Sequence, residues 1–160
     1  MQFVPWRYVA DWKCIGCGKC CSYDVVLDFR EWLTIIRNYG VEQTVSDLSK
    51  FYLRRKNDGS CSFLYNLSGV HLCGLQRTKP IACKIWPFRI LGTPKYGYAN
   101  DAIYKYGENR IFIYADSSCD GLAYGAPTWE FTKHTLKEFM EIAMRIRSDQ
   151  YKTTRDIRLF

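Results

Sequence analysis

Cys14-Ile15-Gly16-Cys17-Gly18-Lys19-Cys20-Cys21 puts four thiols into eight residues, and the reading of this run decides what the rest of the chain folds around. In a C-x2-C-x2-C-C spacing successive thiols turn back over a tight loop toward one point. Gly16 and Gly18 supply the positive φ angles that such a loop needs. Backbone N–H groups of the loop then aim at sulfur and favour the thiolate. Four further cysteines stand at 61, 73, 83 and 119. One or two would pass as small core hydrophobes, but four in eight residues do not. A disulfide framework fits poorly, because adjacent cysteines such as Cys20 and Cys21 pair badly. The opening residues, with Trp6, Arg7, Asp11 and Trp12, also lack the apolar run of an export signal, which points to a reducing cytosol. Soft-metal ligation is the reading that the spacing favours.

Cys14, Cys17 and Cys20 match the C-x2-C-x2-C part of ferredoxin-type loops, where three thiolates hold three irons of a cubane and a distant cysteine holds the fourth. Zinc sites more often use two C-x2-C knuckles, a pattern this chain does not have. One or two thiolate sites are therefore expected, iron–sulfur of the 4Fe–4S type ahead of zinc. Cys14, Cys17 and Cys20 are expected to share one site. Cys21, Cys61, Cys73, Cys83 and Cys119 would complete that site and a second. Lys19, Lys79 and Lys84 would offset the charge of each four-thiolate site, about −2 by simple counting.

The order of these residues resembles the YkgJ-like cysteine-cluster family, described as zinc- or iron-chelating. The likeness runs from Cys14 to about Gly121. It comprises the opening cluster, Cys61-Ser62-Phe63-Leu64, Cys73, the run Lys79-Pro80-Ile81-Ala82-Cys83-Lys84-Ile85-Trp86-Pro87-Phe88, and Cys119-Asp120-Gly121. Lys79 and Lys84 replace the family's usual arginines, which keeps charge but loses the bidentate fork. Leu75 and Gln76 stand where Ile and Tyr are usual, and Trp86 is a larger aromatic. The resemblance implies a metal held by the cysteines. A related cysteine pattern in bacterial flagellin lysine methylases associates it with iron–sulfur chemistry.

The rest of the chain reads as one α+β domain over 1–160, with helices packed on short antiparallel strands around the cysteine-ligated metal. Asp28-Phe29-Arg30-Glu31 has the form of a capping box, opening a helix that Gly40 ends. A second helix is expected over Glu42 to Arg55, the pair fixing the base of the cysteine loop. Strands are expected over Ser60–Tyr65 and Val70–Leu75, bringing Cys61 near Cys73. A short helix should start at Pro80 and run through Cys83, with Pro87 closing it. Extended segments follow over Arg89–Asp101, Ile103–Tyr106 and Arg110–Tyr114, then a helix over Thr128–Ser148.

Hydrophobic residues at 48% and aromatics at 16% are enough for a folded core, and no apolar run is long enough to span a membrane. The net charge of +7 admits a polyanion partner. The basic tail 144–160 reads more simply as a solvated helix face, and the Tyr-rich segments around Tyr96, Tyr98, Tyr104 and Tyr106 as core with hydroxyls at the rim. A redox or protein partner is thus expected ahead of nucleic acid. His71 is a possible imidazole ligand, though a strand position explains it as well. A phosphate loop fails, since Lys13 and Cys20 occupy its glycine and hydroxyl positions. No nucleophile elbow is present, so whether the chain is an enzyme stays open. The competing class is a zinc-stabilised module that binds nucleic acid or protein.

Overall fold

The computed structural model describes residues 2–152, an assembly of four α-helices and short antiparallel strands. In chain order these are β1 (Phe3–Pro5), β2 (Val9–Trp12), β3 (Val26–Leu27), α1 (Phe29–Tyr39), β4 (Thr44–Ser46), β5 (Phe51–Leu53), β6 (Leu64–Leu67) and β7 (Val70–Cys73). Then come α2 (Ile81–Lys84), β8 (Phe88–Leu91), α3 (Ala99–Ala102), β9 (Ile103–Tyr106), β10 (Asn109–Asp116), β11 (Leu122–Tyr124) and α4 (Leu136–Ala143). Among the described residues no helix is long and apolar enough to cross a membrane. The chain forms two compact units, one from residues 2–15 and 85–152, the other from 16–84.

In the unit 16–84, α1 begins as its sequence dictates. Asp28 Oδ1 accepts from the Glu31 N–H at 2.8 Å and Glu31 Oε2 accepts from the Asp28 N–H at 2.9 Å. Two orphan donors of the first turn are thereby satisfied, which stabilises the helix by about 1 kcal/mol. Gly40, at φ 98, ends it. The helix expected over 42–55 does not form. Val41–Gln43 make a single 3-10 turn, and β4 and β5 form a hairpin that β3 extends to three strands. The apolar spacing there suits a helix, but β-branched Thr44 and Val45 favour the pleated surface. Asp47 then closes a turn by accepting from the N–H groups of Ser49 and Lys50, both at 2.9 Å. Such a local side-chain bond competes directly with the helical ladder.

In the β6–β7 hairpin β6 starts at Leu64 rather than Ser60, which leaves Cys61 outside it, and β7 starts at Val70 as expected but ends at Cys73; Leu64 stands opposite Cys73 and the turn is at Ser68–Gly69. Gly69 takes φ 83, and its N–H donates to Asn66 Oδ1 at 3.0 Å. The core of this unit is Val25, Leu27, Ile35, Leu53, Cys61, Phe63 and Leu75, with Cys21, Cys73 and Cys83 packed against it.

In the other unit, β10 is the central strand of a four-stranded sheet, paired with β1, β8 and β9. A two-stranded β2–β11 pair stands beside it in the order of the chain. The segment 89–101 is only in part extended, since β8 ends at Leu91 and 99–102 turn into α3. Trp6, Trp12, Phe88, Tyr104, Phe131 and Phe139 dominate the core. The last helix is shorter than expected. It opens at Trp129, passes through a π-helical turn over Phe131–Thr135, continues as α4, and stops where Arg145 adopts φ 60. Beyond that point the chain folds back. The buried carboxylates of Glu138 and Glu141 both pair with Arg147, at 3.5 and 3.2 Å, and Glu138 Oε1 accepts from the N–H groups of Tyr151 and Lys152. Lys152 also pairs with Glu130 at 3.3 Å. Arg147 and Lys152 of the basic tail are therefore paired with carboxylates of the preceding helix; Arg155, Asp156 and Arg158 lie outside the described residues.

Candidate metal centre

All eight cysteines lie among the described residues and none forms a disulfide. Six of them, Cys17, Cys20, Cys21, Cys61, Cys73 and Cys83, lie in the unit 16–84. Cys20 and Cys21 occupy a short 3-10 turn, Lys19–Ser22, entered through Gly18 at φ 75, and the Cys21 N–H donates to the Gly18 carbonyl at 3.0 Å. The glycine before Cys17 is held by the hairpin, the His71 N–H donating to the Gly16 carbonyl at 3.0 Å. The His71 ring lies over Gly18 so closely that a Cβ there would come within 2.9 Å of His71 Cγ. That contact, together with the left-handed φ, explains why the loop carries glycine. His71 thus packs the loop, and its Nδ1 lies 3.3 Å from the Gly16 carbonyl.

Cys61 is tied to the same turn, its N–H donating to the Cys21 carbonyl at 2.8 Å. Arg55 staples the two segments, donating to the Ser22 and Gly59 carbonyls and pairing with Asp24 at 2.8 Å. Cys73 ends β7, where the Gly74 N–H donates to the Phe63 carbonyl at 2.8 Å. Cys83 rides on α2, whose first N–H, that of Ile81, donates to Glu31 Oε1 at 2.7 Å. Glu31 therefore caps α1 with one oxygen and positions α2 with the other.

The thiols feel one another. Cys20 and Cys21 Sγ are 4.0 Å apart. The hydrogen bond from Cys21 holds the Cys20 thiol below its ordinary value, and the same bond, with burial, pushes Cys21 up. Burial raises Cys61 and Cys83, and the charges of Cys73 and Cys20 act on both in the same direction. Lys79 is buried, at 4% exposure, and its ammonium favours the thiolates of Cys20 and Cys83. Burying a cation without nearby negative charge is strongly unfavourable, so a lysine here suits an anionic thiolate centre. Thiols in apolar surroundings with this counter-charge are soft donors of the kind that suit zinc or iron. Among the described residues no three His, Cys, Asp or Glu side chains converge as they stand.

The remaining cysteines are placed otherwise. Cys17 is half-buried in the glycine loop of this unit. Cys14 and Cys119 belong to the aromatic core of the other unit. Cys119 accepts a hydrogen bond from Trp12 Nε1 at 3.4 Å, and the Lys13 N–H donates to the Gly121 carbonyl at 3.0 Å. A Cβ on Gly121 would collide with the Lys13 carbonyl, which accounts for the glycine of the C-x-G element.

Asp116 went unnoticed in the sequence. It is fully buried, its Oδ1 accepts from the Ser118 N–H and hydroxyl, and its Oδ2 has no hydrogen-bond partner. Its only sequence signal is an acidic residue ending an apolar strand. Tyr104 and Tyr106 turn their hydroxyls to Thr132 and Glu141, while Tyr98 is exposed. His134 stands on the exposed face of the last helix beside Glu130 and Trp129.

No curated protein and no solved structure matches the chain. One family model does, over residues 13–120, which takes in all eight cysteines. The chain belongs to the CxxCxxCC family, described as a "putative zinc- or iron-chelating domain".

Proposed function

We propose that residues 16–84 form a metal-binding unit in which Cys61, Cys73 and Cys83, together with the Cys20–Cys21 turn, hold a thiolate-ligated centre. The observation that carries this reading is the packing of Cys21, Cys61, Cys73 and Cys83 in one apolar core, with Cys20 beside Cys21 and the buried ammonium of Lys79 acting on Cys20 and Cys83. Our assignment is a 4Fe–4S cluster. The ligands come from four separate segments, and the chain lacks the two separate C-x2-C knuckles by which structural zinc is usually gripped. Such a cluster supplies a one-electron couple for exchange with a redox partner. The protein's part is to place the sulfurs, exclude water with Val25, Leu27, Ile35 and Phe63, and balance charge with Lys79. The second reading is a zinc-stabilised binding module, and the exposed Tyr98, Tyr124 and Trp129 favour it as contact residues.

Purification without oxygen, a visible spectrum, and analysis of iron, zinc and acid-labile sulfide test both. Absorbance near about 400 nm with about four iron and four sulfide per chain is expected. Zinc without sulfide would favour the second reading. Metal-free protein with intact thiols would overturn both.

A further inference from the structure

Tyr98 is 72% exposed, yet its backbone lies in the left-handed region at φ 45, directly after Gly97 at φ 81. Glycine takes that conformation freely. For a bulky L-residue it costs free energy that an exposed ring does not return through burial. The arrangement is held from within the fold. The buried Tyr114 donates its hydroxyl to the Gly97 carbonyl at 2.9 Å. The Tyr98 carbonyl accepts from the N–H groups of Asp101 and Ala102 at 3.0 and 3.2 Å, which opens α3. Trp6 Nε1 donates to the Ile103 carbonyl at 3.1 Å, tying the Trp6–Tyr8 turn to the end of the same helix. On this frame Tyr8 stands beside Tyr98, with centroids 6.5 Å apart and rings at 83°, and its hydroxyl donates to Asp101 Oδ2 at 2.7 Å.

Two perpendicular rings and a carboxylate thus gather π-faces and negative charge at one exposed place. Elsewhere in this unit the protein supplies its own cation to a ring: Arg7 to Trp6 at 5.4 Å, Arg89 to Phe3 and Lys95 to Tyr96 at 5.7 Å. Among the described residues no cation lies over Tyr8 or Tyr98 and none pairs with Asp101. We propose that Tyr8, Tyr98 and Asp101 form a binding site for an organic ammonium ion, carried by a lysine or methylated lysine side chain or by a small quaternary ammonium. The rings take the alkyl groups and the spread positive charge, and the carboxylate selects the sign of the ligand. The site lies wholly within residues 2–15 and 85–152 and does not depend on the metal-centre reading.

The test is an NMR titration of the full chain with ring-labelled tyrosine. The probes are tetramethylammonium, a short peptide carrying trimethyl-lysine, the same peptide with unmodified lysine, and its neutral tert-butyl analogue. The Tyr8 and Tyr98 ring signals should move together and saturate with the ammonium probes, and the neutral analogue should bind about 10-fold more weakly. Tyr98→Ala should weaken binding about 5-fold and Asp101→Asn about 3-fold, while Tyr98→Phe, which keeps the ring, should hold it. Trp129→Ala, at a comparably exposed ring, should change nothing. A peptide that binds more tightly than tetramethylammonium supports a lysine side chain as the source, and equal affinity supports a small cation. Absence of a saturable shift with every ammonium probe, equal affinity for the neutral analogue, or unchanged affinity in Tyr98→Ala overturns the proposal. The unaltered chain alone decides the first two outcomes, whatever the variants do to folding.

Discussion

Residues 2–15 and 85–152 fill their interior with Trp6, Trp12, Phe88, Phe131 and Phe139 on a four-stranded sheet, whereas residues 16–84 have seven buried core residues, one of them a cysteine, under two- and three-stranded sheets. Burying a large side chain stabilises by roughly 1.5–3 kcal/mol. The ring-rich unit is therefore well supplied, and the smaller one is near the size at which a core alone is marginal. The rings of the first are also interlocked, Phe139 meeting Trp12 and Phe88 edge-on at 5.2 and 4.9 Å. The second has Tyr39 against Phe63 and a Phe29–Trp32–Phe51 group. Its core instead includes Cys61, with Cys21, Cys73 and Cys83 packed against it. On the metal-centre reading, coordination does for one unit what aromatic packing does for the other.

The sharpest way to break this contrast is to strip the metal. Apparent folding energies of small thiolate metal sites reach about 10–16 kcal/mol. Chelation should therefore abolish hydrogen-exchange protection across 16–84 while the strand amides of β10 stay protected; equal loss in both units would erase the distinction. Next in size, Phe139→Ala should cost about 3–5 kcal/mol in urea unfolding of the ring-rich unit, with metal content unchanged. Lys79→Met should lower metal affinity about 10–100-fold in a chelator competition, and Lys79→Arg should recover part of it, because charge rather than volume is what the thiolates need.

The smallest effect is one of pH on the metal-free chain. Cys61 and Cys83 hold their protons above the ordinary thiol value of 9.0. The folded state thus binds these protons more tightly than the unfolded chain. That contribution is fully present below 9.0 and is lost as pH rises above it. The thermal midpoint of the metal-free protein should fall from about pH 8 to 10, and the metal-loaded protein should not follow it.

What the sequence disclosed depended on how local the cause was. The Asp28–Glu31 box and Gly40 fix α1 within a dozen residues, and the α2 start at Pro80 is equally local. The region 41–55 misled because its apolar spacing obeys a helical period, while the Asp47 turn and the pairing with β3 draw it into a sheet. β1, β2 and β11 left no mark. Phe3 pairs with Asp116 and Trp12 with Leu122, partners more than a hundred residues away. The cysteine set was legible as chemistry, since thiols at that density have few other uses. Its grouping was not. Which core each segment joins is set by contacts far apart in the chain: Cys21, Cys61, Cys73 and Cys83 fall in one core, Cys14 and Cys119 in the other.

The fold-back after α4 sets a limit on trimming the protein. Glu138 and Glu141 stand one turn apart on the buried side of α4, and besides Lys137 and the Tyr106 hydroxyl they have partners that arrive from residues 147–152. A shortened version ending at Ala143 would leave two like charges in an apolar interior, stripped of the guanidinium and backbone donors that make their burial tolerable. Anyone designing a minimal fragment should keep the chain through Lys152, or replace both glutamates with glutamine or methionine when cutting before it.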